Sequence, residues 1–284
     1  MPPPRFIPAP PDLSRWLEAA VVVDSPAALA QSRFPAMVSS MLVVRLAGQV
    51  QCRGAPVPQS AWISPSTTAT VYAHHGRVHA VGLVLRPEAA AALFASTRGL
   101  VDAIRPMAEL AGARWAEAER GVLAAAADDA ARVDVLWGFV RQAVAASPPN
   151  CEERRVQGLA LLGAACNAGA NAGQRMGLST RQFERRFVAH WGMSPRQFRV
   201  IARLNTALQH AAAEPQRQGA DLAVDHGYYD QSHMARDVRR LAGEPLQALV
   251  QQNHPDAAGA HWPLQIGAQT LLRQYDPDAR TPPR

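Results

Sequence analysis

Met176-Gly-Leu-Ser-Thr-Arg-Gln-Phe-Glu-Arg-Arg-Phe187 packs a tight turn, a helix cap and an arginine-rich helical face into one short stretch. Gly177 can take the positive φ of a sharp helix-to-helix turn. Ser179 followed by Gln182 reads as a capping box, so a helix begins here. Phe183 and Phe187, four residues apart, share one face that must be buried. Arg181, Gln182, Glu184 and Arg185 look the other way. A short helix of this kind suits the DNA major groove, because its outer side chains can address base edges and phosphates. An ordinary amphipathic surface helix would show the same pattern.

A second copy separates the two readings. About fifty residues on, Gly227-Tyr-Tyr-Asp-Gln-Ser-His-Met-Ala-Arg-Asp-Val238 repeats the design. Asp230 takes the cap position that Ser179 held. Met234 and Val238 replace the phenylalanines at the same spacing, and Arg236 stands where Arg185 stood. Gln231 and Ser232 fall in the first turn, on the outer face. Repetition of this kind implies two like units doing the same job.

Each unit is preceded by a candidate first helix. Before the second it is Ala220 to His226, with Leu222, Ala223 and His226 on one side. Before the first it is roughly Asn167 to Met176, which contains Gly169 and Gly173, each costing up to about 1 kcal/mol relative to Ala inside a helix. Ala172 and Met176 are its only apolar anchors, so this leading helix is weak. Between the units, Gly192-Met-Ser-Pro195 closes one element and opens another, with Pro195 fit for a first helical turn. Phe198, Ile201, Leu204, Leu208 and Ala211 then recur at three- and four-residue steps, predicting a long amphipathic helix. Arg196, Arg199 and Arg203 lie on its other faces. Such a helix would hold the two units at a set separation, and two recognition helices enter successive major grooves only if they lie roughly 34 Å apart.

At this point residues from about 155 to 250 resemble the DNA-binding domain of AraC-type (AraC/XylS) bacterial transcription regulators. The matching stretches are Gly177 to Phe187, Gly192-Met-Ser-Pro195, Arg203-Leu204, Leu222-Ala223 and Gly227 to Arg236. The resemblance implies two helix-turn-helix units on a linker helix and binding to double-stranded DNA, usually as a homodimer on paired sites. It further implies RNA polymerase as a partner if the chain activates, a cytoplasmic location, no cofactor and no enzymatic activity. The DNA contacts it implies are Arg181, Gln182, Glu184 and Arg185 in the first unit, and Gln231, Ser232 and Arg236 in the second. Three positions depart from the family pattern. The first leading helix lacks bulky aliphatics, Met234 and Val238 stand where phenylalanines are usual, and the closing Gly-x-x-Pro is shortened to Gly243-Glu-Pro245.

Charge distribution agrees with this reading. The chain of 284 residues has a formal net charge of +6, and every one of its 29 basic residues is arginine. Residues 170 to 204 hold seven arginines against one acid, Glu184, whereas the first 150 residues hold thirteen against eleven. The positive field therefore concentrates on the proposed DNA-binding segment, and arginine keeps its charge near pH 7 while forming bidentate contacts.

The length suggests about two domains, and Ser147-Pro-Pro-Asn150 supplies a boundary. The expected fold class is α+β. A β-rich N-terminal domain with helices (barrel or sandwich, cupin-like among the options) occupies 1–148. An all-α double helix-turn-helix domain follows at 149–254, and a tail at 255–284. Within the first part, Val21 to Val23, Met41 to Val44, Thr70 to Tyr72 and Val81 to Leu85 read as strands. Pro87 to Phe94, about Ala116 to Ala127 and about Ala130 to Val144 read as helices. This part is similar to a poorly characterised N-terminal domain found in a subset of AraC-type regulators, through Gly82-Leu-Val-Leu-Arg-Pro87, Gly99-Leu-Val-Asp102 and Met107-Ala-Glu-Leu110. Regulators of the family commonly use such a domain to sense a small-molecule effector or to dimerise.

Other chemistry has thinner support. His74, His75 and His79 lie between two strand-like runs and could bind a metal, but no carboxylate lies close in sequence. The competing reading is a hairpin turning at Gly76-Arg77, and the expectation is no metal. Cys52, Cys151 and Cys166 form no metal-spaced or disulfide-like pattern, and no nucleophile elbow or phosphate-binding glycine loop is present. No run of eighteen apolar residues exists to span a membrane. A DNA-targeted enzyme and a partner-binding protein with a degenerate helix-turn-helix remain as alternatives. In the tail, Trp262 to Tyr275 could pack back on a domain, and the last nine residues read as disordered.

Overall fold

A computed structural model describes residues 4–25, 30–125, 128–168, 171–252 and 260–261. The chain opens with β1 (Arg5–Pro8), β2 (Leu17–Ser25), β3 (Gln31–Phe34), β4 (Ser40–Cys52), β5 (Ala55–Pro56), β6 (Ser60–Ile63) and β7 (Thr70–Leu85). Then come α1 (Pro87–Leu93), β8 (Ile104–Pro106), α2 (Met107–Ala124) and α3 (Asp129–Ala145). The remainder is helical: α4 (Cys151–Ala168), α5 (Ala172–Arg175), α6 (Thr180–Trp191), α7 (Pro195–Ala213), α8 (Gly219–Asp225), α9 (Gln231–Ala242) and α10 (Leu246–Gln252), before the short β9 (Ala260–His261).

The strands form one sheet in the order β1-β2-β7-β4-β6-β8, with β3 on β7, β5 on β4 and β9 on β3. All these pairings are antiparallel except β3 with β9. Among the described residues β1 and β8 are not paired to each other, so the barrel is open. Side chains alternate between its two faces, as strand geometry requires. Leu42, Val44, Val81, Leu83 and Leu85 pack with Trp62 beneath Trp115, Leu136 and Phe139 of α2 and α3. Val21, Val23 and Val78 face the other way, with Phe34 and Met41.

Two expectations are corrected here. His74, His75 and His79 do not flank a hairpin turn, because β7 runs unbroken through Gly76-Arg77. The register against β4 shifts here: β4 carries one extra residue between Arg45 and Ala47, and β7 carries two between His75 and His79, where Gly76-Arg77 lie. The helix expected from about Ala116 starts much earlier, at Met107, and kinks at Gly112, where φ is 55°.

The leading helix expected over Asn167 to Met176 is also different. Helix α4 runs on to Ala168, and only the four residues of α5 lead the first unit. Gly169 and the stretch Trp262 to Tyr275 lie outside the described residues. Gly173 has a packing reason to be glycine. A β-carbon there would stand 2.7 Å from the Leu178 carbonyl oxygen, while Leu178 N–H donates to the Gly173 carbonyl at 2.8 Å. The residue read as a weakness is what lets the turn close.

The helical part has one core, in which Phe187, Phe198, Ile201, Leu204, Met234, Val238 and Leu241 are buried together with Ala36 and Val38 from the loop after β3. Further contacts join the two parts. The Arg154 side chain and the Cys151 thiol both donate to the Ala92 carbonyl of α1, at 3.2 and 3.3 Å, and the Arg155 guanidinium stacks 5.6 Å from the Trp16 ring centroid. Among the described residues no helix is long and apolar enough to cross a membrane.

Candidate nucleic-acid interface

The first unit is α5, a turn and α6. Gly177 turns the chain at φ 65°. Ser179 then caps α6 with both halves of the box: its hydroxyl accepts from Gln182 N–H at 3.3 Å, and the Gln182 carbonyl oxygen accepts from Ser179 N–H at 2.9 Å. Phe183, Phe187 and Trp191 are buried at four-residue steps, with Phe187 lying 5.9 Å from Phe183 and 5.8 Å from Phe198 between ring centroids. That packing leaves Arg181, Gln182, Glu184 and Arg185 exposed. The Gln182 carbonyl oxygen is engaged in the cap, which leaves its amide N–H groups outside it.

The second unit repeats this construction with other residues. Gly227 turns at φ 65°, and Tyr228 N–H donates to the Ala223 carbonyl at 2.9 Å as Leu178 did to Gly173. Asp230 caps α9 by accepting from His233 N–H at 2.6 Å. Met234, Val238 and Leu241 are buried, which leaves Gln231, Ser232 and Arg236 exposed. Arg185 and Arg236 each occupy the sixth position of their helix. Gln231 leans back on α8, near enough that a β-carbon on Gly219 would stand 2.8 Å from its Nε2. The Arg236 Nε–H bonds to the Ser232 carbonyl at 3.3 Å, leaving its terminal nitrogens free to reach outward.

Helix α7 joins the units. It too opens on a full capping box, from Ser194 and Gln197, with Pro195 as its first residue. Arg203 on this helix ties down the second unit. Its guanidinium lies 3.9 Å from the Tyr228 ring centroid, donates to the Gly227 carbonyl at 3.1 Å and pairs with Asp237 at 3.2 Å. Asp237 is buried and also receives Arg240 at 2.7 Å.

Helices α6 and α9 both end against the β-rich part. The last carbonyls of a helix lack internal partners, and here outside N–H groups reach them. Gly99 N–H donates to the His190 carbonyl at 3.1 Å, and Ala36 N–H to the Leu241 carbonyl at 2.7 Å. Gly192, the left-handed cap of α6, sits so close to Gly99 that a β-carbon would meet its carbonyl oxygen at 2.3 Å. The Asn205 amide donates to the Ala36 carbonyl at 2.7 Å, and Arg33 pairs with Glu244 at 2.5 Å.

Burial, aided by nearby Arg98, pushes the His190 imidazole down to about 4. His226 is held at about 4 by burial, then by His210, whose Nδ1 lies 3.0 Å from its Nε2, and by Arg217. Of the β7 histidines, His74 meets Ser32 at 2.7 Å and His79 meets Asp129 at 2.9 Å. No cluster of three or more potential metal ligands occurs among the described residues.

Sequence reasoning overlooked Tyr229, which is 91% exposed beside the α9 cap. Its signal was available: the turn from Gly227 to the cap is one residue longer than that from Gly177, and Tyr229 is the extra residue. Asn205 had no such signal, since its partner is 169 positions away.

Residues 173–252 match a family described as a helix-turn-helix domain. No curated protein matches the chain. Among solved structures, the chain is similar to ToxT from Vibrio cholerae O395 at 7% identity and a TM-score of 0.47, covering 83% of this chain and 98% of that one. Unsaturated-fatty-acid-bound ToxT from Vibrio cholerae strain SCE256 matches at 7% identity and a TM-score of 0.46, over 84% and 96% of the two chains. The matched residues form an AraC-type helix-turn-helix domain. A helix-turn-helix domain of this kind supports a DNA-binding transcription regulator.

Proposed function

We propose that this chain reads a specific DNA sequence by inserting α6 and α9 into successive major grooves, under the control of its β-rich region. One observation carries the reading: two capped helices, turned on equivalent glycines and joined through α7, each present an exposed arginine at the sixth helical position. In this reading Arg181, Gln182, Glu184 and Arg185 serve the first groove, and Gln231, Ser232 and Arg236 the second. Residues 149–254 act as the DNA-binding domain, 1–148 as the regulatory domain and 255–284 as a tail. A second copy of the chain, and RNA polymerase for an activator, complete the partners, in the cytoplasm.

Control is proposed to enter through the apolar cavity on the inner face of the sheet, lined by Val21, Val23, Phe34, Met41 and Val78, with Ser32, Arg45, Gln59, Tyr72 and His74 as its polar groups. A small apolar effector with a polar end fits such walls. Strand β3 contributes Ser32 and Phe34 to this cavity, while Arg33 between them pairs with Glu244 just beyond α9.

Selection of bound sequences from a random duplex library by the full chain tests the reading. The expected outcome is one enriched bipartite sequence. Arg185→Ala and Arg236→Ala should each weaken binding to it by about 1–3 kcal/mol and relax the preference at the base pair read. Absence of any enriched sequence at low salt would refute it.

A further inference from the structure

A groove of about 850 Å³ runs between α7 and α9, with Thr67 of the β-rich region on its rim. Arg196, Arg199 and Arg203 follow one another along α7 at steps of three and four and so share one side of it. Arg236 and Arg240 enter from α9. Against these five guanidiniums stands one carboxylate, Asp237, already shared by Arg203 and Arg240. Among the described residues Arg196, Arg199 and Arg236 have no carboxylate partner. Such an excess of positive charge in a concave surface attracts a polyanion.

Resting on the proposed reading of two major grooves, we infer that this groove is a further DNA site, which holds the phosphodiester backbone running between them. Three features favour that occupant. Guanidinium forks match phosphate oxygens bidentately. The positive groups are strung along a connector between the two recognition helices, where the intervening backbone must pass. Arg236 belongs both to this groove and to the outward face of α9, so the two surfaces are continuous. Arg196 and Arg199 would thus supply affinity without sequence preference, whereas Arg185 and Arg236 supply the preference.

The test uses the full chain and a short mixed-sequence duplex, with affinity measured across a salt series. The double variant R196Q/R199Q should bind more weakly and reduce the steepness of log affinity against log salt by about 1.8, close to 0.9 for each phosphate that is no longer neutralised. R196K/R199K should restore most of the steepness, because lysine keeps the charge. R114Q/R120Q removes the same charge from exposed positions on α2 and should leave the steepness unchanged. A match between R196Q/R199Q and R114Q/R120Q overturns the inference, whether DNA then avoids the groove or an acidic protein segment occupies it. Library selection in parallel distinguishes the two levels. A wild-type chain that enriches no sequence defeats the proposed function itself. An enriched sequence together with an unaltered salt dependence in R196Q/R199Q defeats the groove alone. Identical thermal unfolding of the variants shows that folding does not account for the weaker binding.

Discussion

The two helix-turn-helix units reach the same backbone geometry from different chemistry. The first is held by aromatic packing, with Phe187 between Phe183 and Trp191 and both Phe187 and Trp191 against Phe198. The second fills the same positions with Met234, Val238 and Ala242 and adds a polar tie, in which Arg203 and Arg240 share buried Asp237 while Arg203 stacks on Tyr228. Their leading helices differ too, at four residues for α5 and seven for α8. The units share a left-handed glycine at the turn, a capped second helix and an exposed arginine at its sixth position. A core can exchange aromatic area for smaller side chains plus an ion pair, provided the helix is still held in place.

That contrast can be broken most forcefully at Phe187, which is fully buried. Phe187→Ala should cost about 3–5 kcal/mol through reduced burial and a cavity, measured by denaturant titration. Its damage should concentrate in the first unit, seen as faster amide exchange in α6 than in α9. Equal exchange in both would mean that the units share one cooperative core and that the contrast is only compositional.

Asp237→Asn should act on the second unit, at about 2–3 kcal/mol. That is less than the 3–5 typical of breaking a fully buried pair, because the Arg240 partner is itself 59% exposed. Weaker protection of α9 with α6 unaffected is the expected exchange pattern. A variant as stable as the parent would show that the polar tie contributes nothing net.

The smallest effect is one of pH, and it reaches both units. His190 in the first and His226 in the second are each depressed to about 4 from an ordinary 6.5. The folded state therefore favours the neutral rings, while the unfolded chain takes up protons as pH falls below about 6.5. Stability from these two groups is complete above 6.5 and is lost progressively down to about 4. With partial exposure discounting the full shift, about 1–2 kcal/mol each is expected. Thermal unfolding across that window should flatten in His190→Gln and His226→Gln. An unchanged slope in both would show that neither ring is depressed.

Much of the two helix-turn-helix units was legible from residue order. The caps at Ser179 and Asp230, the turns at Gly177 and Gly227, the buried faces of α6 and α9 and the run of α7 all rest on partners within a few residues. Sequence reading did less well in the β-rich region. Strand β7 continues through Gly76-Arg77 as a bulge against β4, and a bulge set by a partner strand distant in sequence has no local signature. Gly173 was misjudged for a related reason, since helix propensity counts its flexibility but not the carbonyl that passes beside it.

Residue order alone established that two like helices, each with one buried and one arginine-bearing face, stand at either end of a connector. Helical periodicity and capping are interactions of residues three or four apart, so they are written along the chain. Only the folded chain decided that Arg196, Arg199 and Arg203 look across at Arg236 and Arg240, that Asp237 of α9 meets Arg203 of α7, and that Gly99 and Ala36 close the ends of α6 and α9. Those contacts join segments far apart in sequence. They depend on how helices and sheet pack around shared apolar cores, which no local pattern encodes.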